Sequence, residues 1–364
     1  MQPKVSVRGL PLYKPGKSLE EVKREFGLED VIKLASNENP FGCSPKVWEA
    51  LEGIKGEFQY YPEGAAPELR EKLAEHLEVD PRRLIFGNGS DEIVQIIART
   101  YLDRGDESVM ADLTFPRYET VTRIEGGVPV VVPLKEGVHD LEGMLAAITD
   151  KTRLVWVCNP NNPTGTIVSH EALSDFLDRV PPHVLVVVDE AYHEYVTDSA
   201  YPDTISLLDY NPQIIILRTF SKIYGLAALR IGYGIAHPDV VAELERVREP
   251  FNVNRLAQKA AIAAVEDETF VFYCRTQNRI GISQMTEKFD EWGLSYFPAH
   301  GNFILVDTGH PADEVDEYLL RHGVIVRSGL HLGFPTHIRV TVGKKEQNER
   351  FLEVLHAYLH KKGK

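Results

Sequence analysis

Three apolar runs in this chain end in polar residues that a plain core would not place there. Residues 184–188 are apolar throughout and lead straight into Asp189-Glu190-Ala191-Tyr192. A carboxylate at that point either caps a helix or loop, or meets a ligand. Residues 154–158 end in Asn159-Pro160-Asn161-Asn162-Pro163-Thr164-Gly165. Pro, Asn and Gly make turns, yet this run is longer than a turn requires. Residues 214–217 end in Arg218-Thr219-Phe220-Ser221-Lys222-Ile223-Tyr224-Gly225-Leu226, and Arg230 follows. A lone lysine is usually a solvated surface charge. Lys222 instead sits among hydroxyls and apolar residues in a sparsely charged segment beside a buried strand. A fourth stretch, Gly87-Asn88-Gly89-Ser90-Asp91, follows residues 84–86 and opens a helix. Glycines at a helix N-terminus offer backbone N–H groups to an anion, although the same pattern also makes an ordinary strand-to-helix turn.

The elements behind these residues read as an α/β fold. Residues 84–86, 108–110, 128–132, 154–158, 184–188 and 214–217 read as strands, and several are apolar at successive positions, as expected for strands covered on both faces. Helical patterns lie between them. Leu69, Leu73 and Leu77 recur at a spacing of four within 67–78; Ser90-Asp91-Glu92 is read as the cap of a helix reaching about Tyr101; 171–180 is another helix. Alternating strands and helices imply a mostly parallel sheet flanked by helices. Ligands in such sheets bind at the carboxyl ends of the strands, which is where the polar runs lie. After Pro250 the texture changes to helices over 256–266 and on through Trp292, strands over 303–306, 324–326 and 338–342, and a last helix over 345–360. The division expected is an arm plus part of a small domain in 1–40, a large domain in 41–254 and a small α+β domain in 255–364.

Composition removes several function classes. The net charge is -14, and binding to a phosphate backbone needs a basic surface. An anionic ligand must therefore be held by a few placed cations. Cys43, Cys158 and Cys274 are far apart and odd in number, so neither a disulfide framework nor a metal site is expected. The thirteen histidines show no metal spacing. The N-terminus lacks a signal-peptide core and no apolar run is long enough to span a bilayer, so a cytoplasmic protein is expected.

Taken together, these motifs resemble the fold-type I enzymes dependent on pyridoxal 5'-phosphate (PLP), and among them the class I/II aminotransferases. The closest match is the histidinol-phosphate aminotransferase family. The resemblance runs from Leu34-Ala35-Ser36-Asn37-Glu38-Asn39-Pro40 through Tyr61-Pro62-Glu63, residues 87–92, 161–165, 189–192 and 221–230 to Arg339-Val340-Thr341-Val342-Gly343. It implies that Lys222 carries the cofactor and serves as base and acid. It implies that Asp189 sits against the pyridine nitrogen and keeps it protonated, so that the ring draws electrons. Asn162 and Tyr192 would bond the ring's phenolic oxygen. Phe115 would stack on the ring where many relatives carry tyrosine; stacking needs only a π face. Gly89, Ser90, Thr219, Ser221 and Arg230 would hold the phosphate. Tyr61 would reach that phosphate from a partner subunit, which implies a homodimer.

For substrate, the resemblance implies that Arg339 grips the anionic group and Arg327 lies nearby, with Tyr13 and Asn37 in the part that closes over the site. The activity implied is amino transfer from L-histidinol phosphate to 2-oxoglutarate, a step of histidine biosynthesis. Since a guanidinium fork grips phosphate or carboxylate, aromatic amino-acid transamination is the first rival. Residues 15–27 resemble a branch in which it is also seen. A PLP lyase resembling threonine-phosphate decarboxylase is the second. A binding protein that merely keeps the fold is disfavoured, because Lys222, Asp189 and Arg230 are all present.

Overall fold

The computed structural model describes residues 2–10, 16–54 and 58–362. A seven-stranded sheet runs, in spatial order, Leu84–Gly87, Gly232–Ala236, Ile214–Thr219, Leu185–Asp189, Thr152–Cys158, Glu107–Ala111 and Val128–Val132. Gly232–Ala236 is antiparallel to both its neighbours, and the other pairings are parallel. The apolar runs are continuous because both faces are covered. Ile214 and Ile216 enter one core while Ile215 and Leu217 enter another, and Val186 and Val188 alternate in the same way with Leu185 and Val187.

A second, antiparallel sheet orders Arg327–Ser328, His337–Thr341 and Phe303–Asp307. Helices Glu268–Glu291, Ala312–Arg321 and Lys345–Lys362 cover it, packing Met285, Phe289, Val315, Leu319, Phe351 and Leu355 on Ile304, Val306, Ile338 and Val340. Leu34 joins this core, and Ile32–Lys33 pairs in parallel with Val324–Ile325. The N-terminal segment is therefore partly built in. Helix Leu19–Phe26 opens with a capping box between Ser18 and Glu21, ends at Gly27 in the left-handed region, and buries Val22 against Leu320 and Ile325. A cap of this kind stabilises a helix by about 1 kcal/mol.

Several boundaries differ from the sequence reading. Asp189 is the last residue of its strand, not the first after it, and Thr219 likewise ends Ile214–Thr219. Helix Ser90–Tyr101 is capped by Gly89, so Ser90 is its first helical residue and not its cap. Gly232–Ala236 was not foreseen, because two glycines in five residues leave no apolar run. Helix Arg255–Val265 packs Ala257, Ala260, Ala261 and Ala264 into the core that holds Leu69 and Leu73, under the large sheet.

Candidate active site

The strands Thr152–Cys158, Leu185–Asp189 and Ile214–Thr219 open at their carboxyl ends onto a cavity of about 230 Å3. Period-two alternation places Asp189 on the face of Leu185 and Val187. There it is 4% exposed, and burial pushes its carboxyl up to about 6. Two donors act against that push. Tyr118 Oη donates to Asp189 Oδ2 at 2.7 Å, and the Ala191 amide donates to Oδ1 at 3.2 Å.

Lys222 lies on the cavity wall, and its Nζ donates to the Ser36 carbonyl at 3.3 Å. Burial, followed by the positive charge of Arg339, draws its amine down from 10.5 to about 8. The loop that carries it cannot take another residue at Gly225. That backbone has φ +71°, and a Cβ there would lie 1.9 Å from the Gly42 carbonyl oxygen.

One wall presents groups that can hold an anion. Helix Ser90–Tyr101 begins without a side-chain cap, so its first N–H groups are left for another acceptor, and Gly89, Ser90 and Asp91 line the cavity. Arg230 stands above them, donating to Ser221 Oγ at 3.3 Å and to the Asn88 carbonyl at 3.5 Å. Gly89 has φ +73°, and a Cβ on it would stand 2.7 Å from Arg230 Nη2. The close approach of backbone and guanidinium therefore depends on glycine. Thr219 and Ser221 complete this wall.

The opposite side joins the two sheets. Asn37, in the left-handed region at φ 55°, donates to Tyr192 Oη at 2.9 Å and accepts from Thr341 Oγ1 at 3.0 Å. Asn162 Nδ2 reaches the same phenol at 3.5 Å. Burial pushes the Tyr192 hydroxyl up to about 12, so it stays protonated at neutral pH. Arg339 donates from Nη1 to Asn162 Oδ1 at 2.5 Å and from Nη2 to the Ala35 carbonyl at 2.8 Å. Arg327 and Arg339 are register partners on neighbouring antiparallel strands, which puts both guanidiniums on one face, and both line the cavity. Phe115 lines it as well, edge-on to Tyr118 with ring centroids 5.6 Å apart.

One expected residue is not in this assembly. Tyr61 is 79% exposed and lies in a separate cleft, its ring stacked on Phe251 with centroids 4.8 Å apart. Tyr13 falls outside the described residues. Two features escaped the sequence reading. One is Tyr118. The other is the buried Glu190–Arg218 ion pair beneath the strand ends, closed at 2.8 Å with Thr204 Oγ1 donating to Glu190 at 2.6 Å. Glu190 directly follows Asp189, and that adjacency was the available signal. Among the described residues no group of three or more His, Cys, Asp or Glu could hold a metal ion, and no helix is long and apolar enough to cross a membrane.

The family model "Aminotransferase class I and II" matches residues 29–355. The chain belongs to this family. The aminotransferase is similar over its whole length to enzymes named histidinol-phosphate aminotransferase. It is 56% identical to that of Brevibacillus brevis over 98% of each chain, and 55% identical to that of a Geobacillus species over 100% of this chain and 99% of the other. Among solved structures it resembles the histidinol-phosphate aminotransferase of Sinorhizobium meliloti in complex with pyridoxal-5'-phosphate. The TM-score is 0.90 at 29% identity, over 98% of each chain.

Proposed function

We propose that this aminotransferase uses PLP to move the amino group of L-histidinol phosphate to 2-oxoglutarate, a step of histidine biosynthesis. The observation that carries this reading is the 56% identity, over 98% of both chains, to an enzyme of that name. The donor set of the cavity fits the cofactor. Gly89, Ser90, Thr219, Ser221 and Arg230 suit a phosphate, Asp189 a ring nitrogen, Tyr192 and Asn162 a ring oxygen, Phe115 a ring face, and Lys222 the anchoring amine. When bound, PLP supplies a protonated ring that takes up the electron pair left behind when the amino carbon loses its proton.

The chain's own residues supply the rest. Lys222, drawn down to about 8, spends a usable fraction of its time as a neutral amine and so can accept the proton from the amino carbon. Asp189 keeps the ring nitrogen protonated by charge pairing in a low-dielectric site. Arg339 presents a fork already fixed by Asn162 and Ala35, which costs little further ordering when an anion arrives. Arg327, beside it on the same face, assists with the phosphate or with the distal carboxylate of glutamate.

The working form in this proposal is a cytoplasmic homodimer. Tyr61, Phe58 and Tyr60 are all more than 60% exposed on one cleft, which supports a partner subunit covering them. Three free cysteines suit a reducing compartment. The proposed division is a large domain in 41–254 and a small domain in 255–364, although helix Arg255–Val265 packs into the core of the large sheet, with the segment 1–40 shared between arm and small domain. To test the function, purified protein is given L-histidinol phosphate, phenylalanine or tyrosine with 2-oxoglutarate, and glutamate is measured. Threonine phosphate is assayed in parallel for carbon dioxide. Histidinol phosphate should be the preferred donor. A wide preference for the aromatic donors, or carbon dioxide release without glutamate, overturns the reading.

A further inference from the structure

We propose that Tyr118 is a positioning residue that holds Asp189 ionised and braces Phe115, so that one side chain sets both the charge partner and the stacking face of the cofactor site; this rests on the PLP reading above.

The geometry is specific. Tyr118 lies on helix Arg117–Glu125, which runs over the sheet face from which Asp189 emerges. It is 0% exposed, and its hydroxyl donates to Asp189 Oδ2 at 2.7 Å. Its ring is held on both sides. It stacks on Trp156 with centroids 4.7 Å apart and planes 11° from parallel, and it meets the edge of Phe115. Trp156 is itself pinned, because its Nε1 donates to Ser108 Oγ at 2.7 Å. The chain Ser108, Trp156, Tyr118, Asp189 therefore crosses the adjacent strands Glu107–Ala111, Thr152–Cys158 and Leu185–Asp189, and each member fixes the next.

The chemistry explains why a phenol serves here. Burial disfavours the charged form of Asp189, and a neutral carboxyl cannot keep a ring nitrogen protonated. A hydrogen bond to the charged form favours that form. Burial and the adjacent Asp189 hold the Tyr118 hydroxyl well above its ordinary value, so it remains a donor through the neutral range. The other groups around Asp189 do not replace it. The Cys158 thiol is pushed up to about 12 by burial, Glu190 is paired with Arg218, and Asp91 is paired with Arg117 at 2.8 Å. The Ala191 amide is the second donor, on the other oxygen.

The test uses Tyr118→Phe, which deletes the hydroxyl and keeps the stack on Trp156 and the edge contact with Phe115. In the cofactor-free protein, the Asp189 carboxyl is titrated by difference infrared spectroscopy, with Asp189→Asn assigning the band. A hydrogen bond to a charged group is worth about ten- to a hundredfold in an equilibrium constant. The Asp189 acid constant should therefore fall by about tenfold or more in Tyr118→Phe. In Ser108→Ala, which loosens the anchor but keeps the Tyr118 hydroxyl, it should move by much less. With PLP added near neutral pH, Tyr118→Phe should bind about tenfold more weakly, with affinity failing at a higher pH than in wild type as the solution is acidified. Tyr118→Ala should weaken binding further, since Phe115 loses its brace. An unchanged Asp189 midpoint in Tyr118→Phe overturns the inference. If wild type binds no PLP at all, the cofactor reading fails, while the titration still decides the role of Tyr118.

Discussion

Replacing Arg339 by lysine keeps its charge and removes its fork. The native guanidinium is 7% exposed and held flat by Asn162 Oδ1 at 2.5 Å and the Ala35 carbonyl at 2.8 Å, so its plane is set before substrate arrives. A lysine has one point of charge and loses the paired geometry. Each charge-assisted hydrogen bond is worth about 1.5–3 kcal/mol, and tenfold in an equilibrium corresponds to about 1.4 kcal/mol. Arg339→Lys should thus lower kcat/KM by about ten- to a hundredfold for histidinol phosphate and for glutamate alike, because both donors present an anion to the same fork. Arg339→Gln separates charge from shape. The positive charge of Arg339 is the second cause, after burial, of the lowered Lys222 amine. Without it that amine should titrate above about 8 but, with burial unchanged, still below 10.5. The glutamine variant should therefore shift the pH dependence of Lys222 acylation in the apoprotein upward, while the lysine variant should leave it near the wild-type position. The assays are kcat/KM for both donors in each variant and the rate of amine labelling against pH. A lysine variant within about twofold of wild type for both donors would place the anion site elsewhere. An unmoved titration in the glutamine variant would refute the coupling between Arg339 and Lys222.

Three further outcomes follow from the same geometry. Lys222→Ala should fold and assemble normally yet lose nearly all turnover; near-wild-type turnover in a clean preparation would end the proposed role of the lysine. Mixing Lys222→Ala with Tyr61→Phe subunits should restore activity above either parent, since one site of the heterodimer then carries neither defect; verified subunit exchange without rescue would assign Tyr61 to its own chain. Glu194 is pushed from 4.5 up to about 7, chiefly by burial, so the stability it permits is complete below about pH 4.5 and is lost as pH rises through about 7. Because the residue is partly open to solvent, the cost at pH 8 is about 1–2 kcal/mol and not the full value of such a displacement. Glu194→Gln should raise the holoprotein Tm by about 2–4 °C at pH 8 and hardly at pH 5; an equal difference at both pH values would show that ionisation is not the cause.

How much of this was legible in the sequence depended on whether a residue's role is local or is created by packing. Lys222, Asp189 and Asn162 stand out because each comes after an apolar run of sequence, and the carboxyl ends of neighbouring parallel strands necessarily meet. The large sheet was legible for the same reason, except at Gly232–Ala236, whose glycines carry no hydrophobic signal although its pairings to both neighbours complete the sheet. A serine before a helical run looks like a cap, but Gly89 takes that place ahead of Ser90, which leaves the helix start open toward the cavity. Tyr118 could not have been found from its spacing. A tyrosine in a mixed helix reads the same whether its hydroxyl meets water or a carboxylate. Its hydroxyl reaches Asp189 because parallel pairing places Cys158 level with Asp189, so that Trp156, two residues back on the same face, holds the ring beneath it. Arg327 and Arg339 obey the same logic. Nothing in a separation of twelve residues pairs them, but antiparallel register does, and that register sets the two arginines side by side on the cavity wall.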